Sequence, residues 1–249
     1  MSLDLNDILK SWPHEPGGLQ VRRIEGSDGK PKIQLRLDLG LLQFEQDGRP
    51  DGAEPHGMES LLDYQRQRAE TAEKAGEPFQ LTADEIGELQ SEGVQFYHRY
   101  VALFQLGDWQ GVARDTRRNL EMFSFVEKYA PDPEMAWSVQ QFRPYVLMMN
   151  TRAKASLALE KDDVEAAIGL VEKGITTIQK FLRDAGQSEQ LKDNTEISSL
   201  REWLKELKKK RKVTPEEKLR REMAAAIKAE EYERAASLRD EIRALQNKS

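Results

Sequence analysis

Most of this chain has the pattern of helices that follow one another with short interruptions, and this pattern excludes most fold classes. From Met58 onward, helix starts are marked by an N-cap residue with a carboxylate three positions later. These pairs are Thr82 with Glu85, Asp162 with Glu165, Asp193 with Glu196, and Thr214 with Glu217. Pro144 lies inside an otherwise helical stretch, where it either kinks one helix or opens a second. The sequence therefore predicts a mainly α protein.

Strand signals are confined to the first 57 residues, after a short predicted helix from Leu3 to Trp12. Apolar residues alternate with polar ones, as expected of a sheet with one buried face. The apolar positions are Ile33, Leu35, Leu37 and Leu39. Residues 19–25 are a plausible partner strand, joined to them by an Asp-Gly turn. After Gly40 the apolar phase slips by one residue, so either a bulge bends one strand or a tight turn starts a third.

The chain divides by pattern into three segments: a β element at residues 1–57, a helical body at 58–212 and a helical hairpin at 213–249. Within the body, Leu106-Gly-Asp-Trp109 resembles the corner of a tetratricopeptide repeat, and residues 161–168 resemble it again without the glycine and the aromatic. The two corners are about 55 residues apart, against roughly 34 in that repeat. We therefore expect TPR-like hairpins rather than a repeat array.

Composition narrows the class of protein further. Charged residues make up 33% of the chain, and the mean hydropathy is −0.73. No apolar run approaches the ~18 residues of a membrane span, and no signal peptide is visible. Cysteine is absent, which excludes disulfides and thiolate metal sites and fits a reducing cytoplasm. We expect a cytoplasmic protein that contacts no membrane.

Nucleic-acid binding is disfavoured by the net charge of −6, because phosphate recognition normally needs a basic surface. One basic run is the exception: Lys208, Lys209, Lys210, Arg211 and Lys212. These cations either complement the dipole of a helix end or contact a phosphate or an acidic partner. The first interpretation is favoured.

The C-terminal stretch carries the most specific pattern. It predicts two amphipathic helices with a break near Glu230-Glu231. One apolar stripe consists of Leu219, Met223, Ala226 and Ile227; the other consists of Tyr232, Ala235, Leu238 or Arg239, Ile242 and Leu245. A hairpin this small does not bury both faces by itself, so we expect an apolar strip that binds a partner.

This stretch resembles the UVR motif, which occurs in the UvrB and UvrC subunits of the bacterial excinuclease and in some Clp-protease components. The matching residues are Met223, Ala226, Tyr232, Glu233, Ala235, Ala236, Leu238, Arg239, Asp240, Ile242 and Leu245. The one departure is Tyr232, where the family usually has phenylalanine. The resemblance implies association with another UVR hairpin, in a UVR-bearing protein such as UvrB, UvrC or a Clp-type component, or in a second copy.

Catalytic signatures are missing from the sequence. It has no Gly-x-x-x-x-Gly-Lys-Ser/Thr phosphate loop, no Gly-x-Ser-x-Gly and no His-Glu-x-x-His. His14, His56 and His98 have no metal-ligand spacing. We therefore predict no catalytic residues, no metal and no cofactor. The aromatic residues of the body are interpreted as core, with a ligand groove among them as the less favoured alternative.

The leading hypothesis is a non-catalytic adaptor that associates through its UVR hairpin with a UVR-bearing protein or with itself. One alternative is an accessory factor of nucleotide excision repair that docks on the excinuclease; an adaptor of a stress protease is another. A third, from a different class, is a small-ligand or enzymatic site on the β element and its loop at residues 47–57. A pocket lined by Arg49 and His56 would favour this last alternative.

Overall fold

The computed structural model describes residues 4–211 and 215–246. The chain forms two compact units, Met1–Lys205 and Glu206–Ser249. Three of the predictions involve positions outside the described residues. These are position 3 in the predicted first helix, position 212 in the basic run and position 214 in a predicted helix cap. Within the described ranges, no helix has the length and apolar character needed to cross a bilayer.

The order of elements confirms a mainly α chain with a small N-terminal antiparallel sheet and a C-terminal helical hairpin. The β element contains α1 Asn6–Ser11, β1 Gln20–Glu25, β2 Pro31–Leu37 and β3 Gly40–Glu45. The body contains α2 Leu61–Ala75, α3 Ala83–Gln105, α4 Trp109–Tyr129, α5 Pro133–Gln140, α6 Arg143–Leu159, α7 Val164–Asp184 and α8 Thr195–Lys210. The hairpin contains α9 Pro215–Lys228 and α10 Tyr232–Gln246.

The sheet is an antiparallel meander in the order β1-β2-β3. A tight turn pairs Leu37 with Gly40 and starts the third strand, which settles the alternative left open by the phase slip. Ile33 lies opposite Phe44 and is fully buried, so both point into the core. The predicted alternation of buried and exposed residues extended too far along the chain. Leu39, which was assigned to the buried face, lies at the turn and is 94% exposed.

The polar face of β2 is buried as well, contrary to the expectation of one buried face. Lys32 binds Glu45 and Asp28, and the side chain of Gln34 is hydrogen-bonded on both sides. Arg36 Nε donates to the carbonyl oxygen of Trp12 at 2.8 Å. Such partners allow a polar face to be buried at low cost, and they hold the N-terminal segment against the strand.

Helix starts in the body follow the predicted chemistry with two corrections. Thr82 and Glu85 form the complete capping box. The N-cap of α7 is Asp163, one residue after the predicted Asp162, since its carboxylate accepts from the Ala166 amide at 2.9 Å. At α8, Asn194 rather than Asp193 accepts from the Ile197 amide. Both errors are shifts of one residue between adjacent residues of similar chemistry. Pro144 does not kink a helix; it lies in the first turn of α6.

The predicted corners between α3 and α4 and between α6 and α7 share one backbone design. A residue two or three positions after each helix is left-handed, with φ of 71° at Gly107 and 56° at Asp162. The next amide bonds five residues back, from Asp108 to Leu103 at 2.9 Å in the first corner. Aspartate is among the few non-glycine residues that adopt this conformation readily. The missing glycine of the second corner is thereby explained, while kinship with tetratricopeptide repeats stays a prediction.

Two hydrophobic cores of the first unit pack the sheet and helices α2 to α6. The sheet core packs β2 and β3 against α3, α4 and α6, with Ile33, Phe44, Tyr100 and Leu103 among its buried residues. The second core packs α2 to α6, with Leu62, Leu89, Phe123 and Val146 among its buried residues. Tyr145, which is half-buried, packs against both. The small sheet therefore takes its stability from helices, as expected of three short strands.

Candidate functional site

The C-terminal hairpin turns at the predicted break. Helix α9 ends at Lys228, and Glu230 takes the left-handed conformation with φ of 61°. The Glu231 amide donates to the Ala226 carbonyl at 2.9 Å, and the Glu230 amide donates to the Ile227 carbonyl at 3.1 Å. These two bonds form the same helix-ending motif as the body corners and satisfy carbonyls that a helix end otherwise leaves unpaired. The corner thus fixes where α10 begins.

Small and branched side chains build the interior of the hairpin. Ala226 of α9 packs against Ala235 and Leu238 of α10, and all three are buried. Leu219 and Met223, which are half-buried, cover the same cluster. Alanine at the centre allows the two helix backbones to approach closely, and the branched side chain fills the space that remains. The hairpin therefore has a small core of its own.

Burial divides the twelve residues predicted to bind a partner into different environments. Ala226, Ala235, Leu238 and Ile242 are buried in the single chain. Leu219, Met223, Ala236 and Leu245 are half-buried. Ile227 and Tyr232 are 50% and 67% exposed, while Arg239 and Asp240 are exposed and adjacent. The exposed members lie at the surface of the single chain, whereas the four buried ones do not.

The two exposed apolar residues flank the corner. Ile227 lies at the end of α9 and Tyr232 is the first residue of α10, so both are within three residues of Glu230. Ile227 was assigned to the apolar stripe of α9. It is exposed, whereas the other members of that stripe turn inward. Tyr232, which stands where the family usually has phenylalanine, is thus not a buried anchor in the single chain. Among these twelve positions, the exposed apolar residues are therefore the two beside the corner.

The charged residues of the hairpin pair locally. Arg239 Nη2 lies 3.0 Å from Asp240 Oδ1, and both side chains are more than half exposed. Arg234 pairs with Glu231 across one helical turn at 3.1 Å. Exposed pairs of this kind contribute little stability, about 0–1 kcal/mol. Their charges are accessible at the surface for pairing with a partner.

The basic run occupies a helix end. Lys208, Lys209 and Lys210 form the last turn of α8 and are exposed, and Arg211 follows them half-buried. Lys212 lies outside the described residues. Cations in the last turn of a helix are stabilised by its dipole, so this placement supports the favoured interpretation of the run.

The loop at residues 47–57 does not bring its two candidate ligand-binding residues together. The Arg49 side chain is 13% exposed, and its Nε lies 3.3 Å from a carboxylate oxygen of the fully buried Glu92. His56 instead stacks on Tyr64 with ring centroids 3.9 Å apart. A groove of about 570 Å³ runs beside the loop and includes Arg49 without His56. This arrangement fastens the loop to the body and keeps Arg49 and His56 in separate contacts.

A buried ionic network behind this loop was missed by the sequence analysis. Glu92 contacts both Arg49 and Arg118 and accepts from the Leu61 amide at 2.7 Å. Burial lowers the pKa of Arg118 to about 9, although neighbouring carboxylates oppose the shift. Charged residues on amphipathic helices usually face solvent, so the sequence alone gave no signal for this burial. Across the residues that the structure describes, no group of three metal-ligating side chains occurs.

Comparison with known families supports the resemblance of the C-terminal stretch. Residues 217–248 match the UVR family, described as the UvrB/uvrC motif. The matched stretch includes all of α10 and most of α9 and does not extend into the body. Searches of curated proteins and of solved structures gave no significant match. The chain therefore carries a UVR motif on a body to which no known family is assigned.

Proposed function

We propose that this protein is a non-catalytic adaptor whose C-terminal hairpin associates with a second UVR-bearing protein or with a second copy of the chain. The observation that carries the proposal is the UVR match at residues 217–248. In UvrB- and UvrC-type proteins this motif mediates protein interaction. The hairpin also has the parts of a small interface: two exposed apolar side chains at its corner and exposed charges along α10.

The contact surface in this proposal consists of the exposed members of the motif. Ile227 and Tyr232 supply the apolar centre, and Arg239 and Asp240 supply charges that re-pair across the interface. Aromatic side chains with high exposure in the free protein are frequent anchors at interfaces because they bury a large area at low entropic cost. The buried Ala226, Ala235 and Leu238 hold the two helices in the geometry that presents them.

Association is tested by the mass of the complex in solution and by capture of a partner. We expect the wild-type chain to self-associate or to capture UvrB, UvrC or a Clp-type UVR protein. The double variant Ile227→Asp/Tyr232→Asp should lose this association, because two charges would enter an apolar contact. Leu39→Asp is the matched control, since Leu39 is exposed at the β2–β3 turn, outside the hairpin. A wild type that remains monomeric and captures none of these proteins contradicts the proposal.

The non-catalytic part of the proposal has its own test. Purified protein is expected to hydrolyse no ATP and to cut no DNA, since the sequence has neither a phosphate loop nor a motif that would hold a catalytic metal. Turnover that co-purifies with the wild type and disappears in a point variant contradicts it. We further propose a cytoplasmic location, which suits the absence of cysteine from the chain.

Partner choice separates the proposed pathways. An accessory role in nucleotide excision repair predicts preference for UvrB or UvrC, whereas a role in regulated proteolysis predicts preference for a Clp-type component. Competition between these proteins for one tagged chain measures the preference directly. Equal capture of all of them would favour a general UVR adaptor.

A further inference from the structure

A pocket of about 380 Å³ lies in the helical body, remote in sequence from the UVR motif. It opens between α3, α4 and the start of α6. None of the described residues that line it is charged, and five are aromatic: Tyr97, Tyr100, Phe123, Phe142 and Tyr145. Pockets that bind small molecules typically have about 300–1,000 Å³ and mostly apolar walls. Size and lining therefore both fall within the range of ligand sites.

The pocket lies where the two hydrophobic cores of the body meet. Tyr100 belongs to the sheet core, whereas Met122 and Val146 belong to the second core. Tyr145 packs against both cores and lines the pocket between them. Because each core is closed around different helix faces, their junction leaves a space that neither fills.

The mouth of the pocket exposes apolar side chains to solvent. Val94, Tyr97 and Phe142 are 45%, 39% and 49% exposed, although large apolar residues elsewhere in the body are mostly buried. The rings of Tyr97 and Tyr145 lie 6.1 Å apart across this region. Apolar residues that cluster at the rim of a concave site commonly mark a binding surface.

Tyr100 supplies a polar group deep inside the pocket. Its side chain is only 1% exposed and packs edge-on against Tyr97 at 5.5 Å. Within residues 4–211 and 215–246, its hydroxyl has no hydrogen-bond partner. Tyrosine hydroxyls inside proteins usually have a hydrogen-bond partner, so a molecule in the pocket would supply the partner that Tyr100 lacks. Burial also raises the pKa of Tyr100 from the ordinary value for tyrosine, at which the hydroxyl is already protonated at neutral pH.

We propose that this pocket binds a neutral, planar aromatic molecule whose hydrogen-bonding group meets the Tyr100 hydroxyl. The uncharged wall disfavours an ionic ligand, since no charged side chain would replace its lost hydration. The aromatic rings offer stacked and edge-on contacts to a flat ring system. The volume of about 380 Å³ is that of a small-molecule site, which favours a small molecule over a polypeptide. This binding site is independent of the proposed association through the hairpin.

Calorimetric titration of the full chain with 2-naphthol at neutral pH tests the proposal. Naphthalene is the matched probe without the hydroxyl. We expect one 2-naphthol per chain. Tyr100→Phe should weaken its binding roughly tenfold, the effect of losing one hydrogen bond, while leaving naphthalene binding unchanged. Tyr64→Phe is the control, because Tyr64 stacks on His56 away from this pocket. Val94→Trp, placed at the exposed mouth, should weaken binding of both probes.

Three outcomes overturn the proposal. The first is no 2-naphthol binding at millimolar concentration by a wild type that melts cooperatively. The second is binding that neither Tyr100→Phe nor Val94→Trp changes, which places the probe elsewhere. The third is a wild-type dimer that Val94→Trp converts to monomer, which identifies a second copy as the occupant. Hairpin variants that lose partner capture should still bind 2-naphthol as the wild type does. The two proposals can therefore be contradicted independently of each other.

Discussion

Arg99 and Asp115 form a two-pronged ion pair in the interior of the body, with Nε–Oδ2 and Nη2–Oδ1 distances of 2.7 and 2.8 Å. Both side chains are completely buried. The third guanidinium nitrogen donates to the Glu45 carbonyl at 3.1 Å, at the end of β3. Arg114 binds the same aspartate at 2.9 Å. The Arg99 guanidinium thus joins α3, α4 and the last strand.

Asp115→Asn is expected to destabilise the first unit by about 3–5 kcal/mol, because it leaves a buried guanidinium without its counter-charge. Glu121→Gln is the control. Glu121 pairs with Arg66 at 2.9 Å, but the two side chains are 45% and 38% exposed. Its loss should cost less than about 1 kcal/mol. Urea unfolding measures both, and equal losses would show that burial does not govern the strength of these pairs.

Gly174→Ala is expected to destabilise the packing of α6 on α7 by about 1–3 kcal/mol, the usual cost of overpacking. A Cβ at this position would lie less than 3 Å from the side chain of Thr151. Gly169 is the matched control in the same helix, since nothing lies within 4 Å of its added Cβ. Gly169→Ala should stabilise the unit by about 0.4–1 kcal/mol, because it restricts the unfolded chain. The two denaturation midpoints should therefore shift in opposite directions.

Acid should weaken the start of α3. Although burial of Glu85 raises its pKa, the Thr82 amide and the Arg68 guanidinium lower it by more, so the net pKa lies below its ordinary value of 4.5. A lowered folded-state pKa contributes stability that is present above 4.5 and is lost as pH falls through the folded value. Between neutral pH and pH 3, wild type should thus lose more stability than Glu85→Gln. Replacing Glu88, an exposed residue of the same helix, by glutamine should leave the acid loss of wild type unchanged.

Leu238→Asp should unfold the hairpin instead of only weakening a contact with a partner. Leu238 is 7% exposed and packs against Ala226 and Ala235, so a carboxylate there would be buried without a partner. Ser237→Asp adds the same charge at an exposed neighbouring position and should preserve both helices. Hydrogen exchange of residues 219–245 distinguishes the two variants. Retained protection in Leu238→Asp would contradict the observed core.

The basic run should give only weak binding to duplex DNA. Binding should disappear at physiological salt, because few cations are available to displace the counterions of phosphate. Filter binding at rising salt, with Lys208, Lys209, Lys210, Arg211 and Lys212 replaced together by glutamine, measures its contribution. Sub-micromolar affinity that persists at physiological salt and is lost in this fivefold variant would show a direct role on nucleic acid.

The sequence by itself determined the features that depend on neighbours along the chain. Helix starts follow from capping residues within three positions, and the hairpin break follows from two short apolar stripes. The β turn at Gly40 was detectable as a change of phase, and the UVR motif as a local pattern of residue types. Where two adjacent residues had the same capping chemistry, as with Asp162 and Asp163, backbone conformation decided between them.

Only the tertiary structure decided which charged and aromatic side chains are buried. Arg99 and Asp115 are sixteen positions apart, and their carboxylate–guanidinium geometry depends on the packing of two helices. Ile227 belongs to the same sequence pattern as Ala226, yet one is half exposed and the other is buried. The pocket above Tyr100 exists because two separate cores fail to fill their junction. Such features arise from volumes and distances between distant segments, which periodicity along the chain does not encode.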